Sequence, residues 1–438
     1  MTLQEQVLAG SGQPATESHA PPVPRTIRDT GLSPETITAL ALKTVYVAGA
    51  RTGREIAGYI RLPFEVLDEA LFDAQQRHMV EVSGVRGHSR AGYVFDLTNA
   101  GRDRARELFQ ASHYVGPAPV PLKVYHEWVL KQSMLDVTIE PEEIDAGLNH
   151  LVLGSEILRQ LGPAINSGRS MFLYGHAGNG KTEVAQSISK MIRGSIYSPY
   201  AIEVEGRVIV AVQDFDLGEE IRKSESDSWL AEEAAFDIRF AHVPRPVVFT
   251  GGELSLEQMD LRFDPHARFY RAPLQLKANG GVLIIDDLGR QLVRPDELLN
   301  RWMVPLEKRT DFLTLHTGHS FPVPFDCLLI FSTNLEPSEL VDEAFLRRIH
   351  YKINMRSPSR EEYAQILQRC CEEKSIDFDP GSVETIYNSY YDRHGIPARG
   401  CHPRDIVLHL CDLARYERSE PTMGDGRLEE ACESYFLT

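Results

Sequence analysis

The spacing of apolar residues changes character along the chain, and those changes divide it. From Ser33 to about Ser112, apolar positions recur at helical spacing in three stretches, Ser33–Ala48, Thr52–Leu62 and Pro63–His78. Two short strand-like runs follow, Met79–Val82 and Tyr93–Leu97, joined by SGVRGHSRAG, and a fourth helix opens after Thr98. From about Ile139, short apolar runs alternate with helical stretches, the signature of a parallel α/β sheet. A hairpin, Ala201–Val204 and Arg207–Val212 around Glu205-Gly206, is expected as an insertion in that region. Beyond Ser357 the pattern is helical throughout. Ser359 and Glu362 have capping-box spacing, and Tyr363, Ile366, Leu367 and Cys370 form one apolar stripe. Residues 1–30 have no apolar periodicity and read as a flexible tail. Pro117, Pro119 and Pro121 read as a stiff linker, continued by a helical stretch Tyr125–Met134. The division is therefore a tail (1–30), a small α+β domain (31–113), a linker (114–138), an α/β core (139–356) and a helical lid (357–438).

Two sites in the core carry chemistry. The strand Met171–Tyr174 runs into Gly175-His176-Ala177-Gly178-Asn179-Gly180-Lys181-Thr182, followed by Glu183 and a helix whose face is Val184, Ile188, Met191 and Ile192. This matches GxxxxGK[ST] in the strand–loop–helix context the pattern requires. Glycines let backbone N–H groups converge on phosphate oxygens, and the helix N-terminus adds favourable partial charge. Lys181 supplies a point charge to the β- and γ-phosphates, and the Thr182 hydroxyl suits Mg²⁺. A second strand, Val282–Ile285, ends in Asp286-Asp287. A carboxylate at such a strand end can hold the Mg²⁺ shell, and its neighbour can orient a water; Asp286 is assigned to the metal and Asp287 to the water. The cofactors implied are ATP and Mg²⁺.

The order of these elements, with Leu328–Thr333 leading to Asn334, Asp342–Arg348, and Gly400–Asp405 opening a helix, resembles the AAA+ ATPases from about Ile139 to the C-terminus. The resemblance implies a P-loop α/β sandwich with a helical lid, ATP hydrolysis, and a homo-oligomeric ring, most often a hexamer. It also implies that Asn334 contacts the γ-phosphate or the attacking water. Arg347 or Arg348 would act as a finger on the neighbouring subunit's nucleotide, and Arg404 would report on the γ-phosphate from the lid. Asp287 departs from the family's usual Asp–Glu pair, which opens the alternative of a slow nucleotide-dependent switch. The stretches FTGGEL, YRAPLQLKANGGVLIIDDLGRQ, LLNRWMVPLEKRTDFLTLHTG, VPFDCLLIFSTNL and LVDEAFLRRIHYKI resemble a bacterial group of predicted ATPases described as chaperone-like. Phe269 and Tyr270 could form an aromatic pore loop, though aromatic residues are more often core.

Residues 31–113, with three helices, a two-stranded wing and a closing helix, resemble a winged-helix domain. Its third helix carries Glu65, Asp68, Glu69 and Asp73 against Arg77, while the wing offers Arg86, His88 and Arg90 for a few backbone contacts; the balance favours docking to protein over DNA. The expected partners are further copies of the chain and a protein client, with DNA as the lesser alternative. The net charge of -17 also argues against a surface that grips nucleic acid everywhere. No apolar run reaches membrane-span length and the start lacks a signal-peptide layout, so a cytoplasmic protein without membrane contact is expected. The six cysteines lie in the last third without a CxxC pair, as expected of free thiols in a reducing compartment.

Overall fold

The computed structural model describes residues 20–211, 235–340, 343–424 and 426–436. The first part of the expected tail, Val212 of the expected hairpin and Asp342 lie outside the described residues.

The front domain follows its apolar spacing closely. Helices span Pro34–Ala48, Gly53–Ile60, Phe64–Gln76 and Asn99–Ala111. Three begin at hydroxyl caps: Ser33, Thr52 (closed into a capping box by Glu55) and Thr98. Strands Val80–Val85 and Tyr93–Leu97 pair antiparallel, and a two-residue strand, Arg51–Thr52, adds to the other side of Tyr93–Leu97. Ile37, Leu40, Ala41 and Val45 place one helical stripe in a core shared with Ile56, Ile60, Leu67, Leu71 and Phe95.

Residues on either side of this domain are packed, where composition suggested a flexible tail before it and a stiff linker after it. Thr26 and Asp29 form a capping box that starts a short helix, Ile27–Thr30, and Ile27 and Leu32 enter the front core. Farther on, the Tyr114 hydroxyl donates to the Pro117 carbonyl at 2.6 Å, and the Ala118 amide donates to Ile60 O at 2.6 Å. Val120–Pro121 then pairs parallel with Ile202–Glu203, and Leu122–Lys131 is helical. Prolines restrict φ but leave carbonyls and ring faces free to pack, so a Pro-rich stretch can serve as an edge strand.

That edge belongs to a second sheet, ordered Arg262–Asp264, Phe269–Arg271, Arg207–Val210, Ala201–Val204, Val120–Pro121. The expected hairpin forms its middle. Tyr270 is only 1% exposed and bonds to His316, and Phe269 packs against the front core, so this aromatic pair is core and not a pore loop. Beside it lies a buried ion pair, Arg239 Nη2 to Asp237 Oδ2 at 2.7 Å. Arg239 also donates to Thr30 O at 2.8 Å, and the Asp237 amide donates to Pro21 O at 2.8 Å. The bonds to Thr30 and Pro21, each worth about 0.5–1.5 kcal/mol net, tie the front segment to the stretch that leads into Phe240–Pro244.

The central sheet is α/β and wholly parallel, in the order Val247–Thr250, Val282–Ile285, Leu328–Thr333, Ser170–Tyr174, Tyr351–Asn354. Its inner strands are continuous apolar runs because both faces are covered. The strand entering the glycine-rich loop comes first in the chain yet lies between the fourth and fifth. The chain therefore changes direction across the sheet at this strand, and ligands of open α/β sheets bind outside the C-terminal strand ends at such a point. Lid helices Arg360–Glu373, Gly381–Ile386, His402–Glu417 and Arg427–Tyr435 enclose their own core around Tyr363, Leu367, Ile406, Leu410 and Leu428. All six cysteines are free. No helix among the described residues is long and apolar enough to cross a membrane.

Candidate functional site

Three parallel strands deliver the site. Ser170–Tyr174 opens into the 175–182 loop, Val282–Ile285 ends at Asp286, and Leu328–Thr333 ends at Asn334. Gly175, Gly178 and Gly180 have φ of 129°, 86° and 78°, values that residues with a Cβ rarely adopt. The helix Lys181–Met191 starts at once, so its free N–H groups point into the loop.

The expected residues meet through direct bonds. Lys181 Nζ donates to Gly175 O, His176 O and Asn334 Oδ1, each at 2.8 Å. Asn334 Nδ2 in turn donates to Asp287 Oδ1 at 3.0 Å. Thr182 Oγ1 donates to Asp286 Oδ2 at 2.8 Å. Burial lowers the Lys181 pKa from its usual value; Asp287 and Asp286 oppose that shift, and Arg399 and Arg290 reinforce it. Asp287 sits in a left-handed turn with φ 50°, tightened by the Arg290 amide donating to Asp287 O at 3.0 Å.

The other oxygen of Asp286, Oδ1, is buried and has no hydrogen-bond partner. A buried carboxylate oxygen left bare is costly, and a hard cation would satisfy it. A carboxylate oxygen and a hydroxyl side by side are hard oxygen donors that fit Mg²⁺, which takes one or two protein ligands and completes its octahedron with water and substrate phosphates. Asp286 and Thr182 would hold it.

Above these groups lies a cavity of about 580 Å³ between core and lid. Its polar end is the loop with Lys181, Thr182, Asp287 and Asn334, and its other end is apolar, formed by Leu151, Val152, Leu153 and Ile366. A charged end and an apolar end in one cleft of this size suit a nucleotide. Glu183 lines the wall, 3.6 Å from His150 Nε2. Arg290 and Arg369 also line the cavity and had no signature in the sequence.

The expected arginines separate. Arg404 reaches the cavity wall, although its guanidinium also bonds Asp405 at 3.3 Å. Arg347 and Arg348 lie away from it. Arg348 is held by Glu307 at 2.9 Å and by Ala344 O at 2.7 Å. Arg347 is exposed and has no ion-pair partner among the described residues.

Comparison with known proteins adds little beyond this geometry. A family model described as a domain of unknown function, DUF8689, matches residues 359–434, within the lid. No curated protein matches the chain. The solved structures that resemble it include NtrX from Brucella abortus, at 15% identity and TM-score 0.39, over 64% of this chain and 55% of that one. NtrX in complex with ATP aligns at 13% identity and TM-score 0.37, over 68% of this chain and 60% of that one. A RuvB mutant from Thermotoga maritima aligns at 12% identity and TM-score 0.34, over 69% of this chain and 72% of that one. The matched region thus spans under two thirds of either NtrX chain. The α/β assignment rests on this chain's own parallel sheet and glycine-rich loop.

Proposed function

We propose that this protein binds MgATP and hydrolyses it as an AAA+ ATPase that assembles into a ring, a hexamer in the family's usual form, and acts on a protein client. The observation that carries the reading is the bonded set Lys181–Asn334–Asp287 beside Thr182–Asp286, at the strand ends beneath a cavity of nucleotide size. Lys181 and the loop amides bind the phosphates and hold the γ-phosphate near Asp287. Asn334 orients Asp287, and Asp287 receives the proton of the attacking water. Bound Mg²⁺ would offset phosphate charge as the bond to the leaving oxygen breaks. Arg404 approaches from the lid, and Arg347 is the better placed of the pair to reach a neighbouring subunit, because Glu307 already holds Arg348. The protein is expected to work in the cytoplasm.

The front domain is read as a winged helix that docks protein. Arg102, Arg104 and Arg106 on its closing helix are paired with Asp96, Glu107 and Asp103, which lowers the positive charge that helix offers to phosphates. A second reading, a slow switch, is favoured by the shorter reach of Asp287, which stands where the family usually has Glu, and by its left-handed turn. Asp287→Glu separates the two, since a large gain in turnover marks the wild type as a switch.

Turnover measured across a protein dilution series tests the ring. Activity per chain should fall on dilution, and inactive Lys181→Ala and Arg347→Ala proteins should restore activity when mixed. Turnover independent of concentration, in a protein that stays monomeric with MgATP, would remove the shared-site model.

A further inference from the structure

The phosphate loop does more than line the cavity, and the residue that joins it to its surroundings is Asn179. This side chain is 8% exposed, and both halves of its amide are used. Nδ2 donates to the Met355 carbonyl at 2.9 Å, just past the edge strand Tyr351–Asn354. Oδ1 accepts from the Gly400 amide at 3.2 Å, two residues before the lid helix His402–Glu417. One partner can only accept and the other can only donate, so the amide has a single workable orientation.

Backbone contacts run alongside both bonds. A Cβ added at Gly178 would stand 2.4 Å from Cys401 Sγ, and one at Gly175 would stand 2.6 Å from Met355 O. A Cβ at Gly400 would lie 3.2 Å from Gly178 O. The loop is therefore seated closely on both the sheet edge and the lid turn, with the Cys401 side chain packed against Gly178. Gly400 is four residues before Arg404, the lid arginine on the cavity wall.

We propose that Asn179 is a positioning residue that makes the lid follow the phosphate loop, so that a change in the loop on nucleotide binding is passed through Gly400 to Arg404. The inference rests on the nucleotide reading of the cavity. Alanine at 179 removes both bonds. Aspartate keeps an acceptor for the Gly400 amide but sets a carboxylate against the Met355 carbonyl, so it should fall between wild type and alanine.

The test is a double-mutant cycle on the full chain, reading kcat and KM for ATP together with the Kd of a fluorescent ATP analogue. Asn179→Ala should lower kcat about tenfold, the scale of one or two lost hydrogen bonds, and leave KM and Kd within about threefold. Combined with Arg404→Ala it should be no slower than Arg404→Ala alone, because the two act through one element. Effects that multiply would overturn the proposal, as would a raised KM with kcat unchanged. Should Asn179→Ala fail to fold, exchange of the Gly400 amide in wild type supplies the answer. Protection that changes with MgATP supports the coupling, and unchanged protection refutes it. A wild type that neither binds nor hydrolyses ATP would remove the reading of the site and this inference together. An active wild type with independent effects would remove this inference alone.

Discussion

Charged groups are treated in opposite ways in the front domain and at the central strand ends. In the front domain many are closed into pairs: Arg77, Arg90, Arg102, Arg104 and Arg106 each have a carboxylate within 3.2 Å. Even the buried Lys43 ends on the Ser112 and Tyr114 carbonyls, at 3.2 and 2.7 Å. At the central strand ends, valence is left open. Asp286 Oδ1 and Ser332 Oγ are buried without partners, and Arg290 lies on the cavity wall with Lys181. Pairing charges stabilises a fold but leaves them little to offer a ligand. Open valence destabilises, and persists where a ligand completes it.

The sharpest way to break this contrast is Lys181→Ala. It should abolish ATP turnover, at least about a thousandfold, because a P-loop lysine acts on the charge that grows in the transition state. The variant should melt within a few degrees of wild type, as read by circular dichroism. Retained turnover would show that the open valence serves something else.

Next in size is the difference between adjacent arginines. Arg347→Ala should lower turnover by at least about a hundredfold, within the reach of a lost arginine finger. Arg348→Ala should stay within about threefold, since it loses a partly exposed pair with Glu307. Equal losses, measured on assembled protein, would erase the distinction drawn from their partners.

The smallest effect lies in the front domain. Burial lowers the Lys43 pKa from 10.5 to about 8. The folded state therefore releases this proton before the unfolded state does, and stability gains with pH between about 8 and 10.5. Relative to Lys43→Met, which cannot titrate, wild type should become more stable across that window, as read by denaturant unfolding at successive pH values. A constant difference would mean Lys43 is better solvated than its burial implies.

Much of this fold was legible because its signals are local. Tyr93–Leu97 and Val282–Ile285 were bounded correctly, since each is an apolar run with Gly or Asp at its border. The loop, Asp286 and Asn334 were legible because a strand must end where its carboxylate or amide begins to act. The second sheet was not, because Val120–Pro121 is too short to show alternation and its partner lies about eighty residues on. Arg290, Arg369 and Leu151–Leu153 were missed for the same reason: their meeting is tertiary, and no spacing along the chain records it. Residues 20–30 and 114–121 misled by composition, because prolines and small residues were weighed above the few anchors, Ile27, Leu32, Tyr114 and Val120, that hold them down.

The central claim is that the bare oxygen of Asp286 awaits a metal carried with ATP. Calorimetric titration of ATP into wild type and Asp286→Ala, each with Mg²⁺ and with EDTA, tests it directly. The account predicts that wild type binds more tightly with Mg²⁺ than without, and that Asp286→Ala loses this difference while its fold persists. Binding by wild type that ignores Mg²⁺, or no ATP binding under either condition, would contradict it.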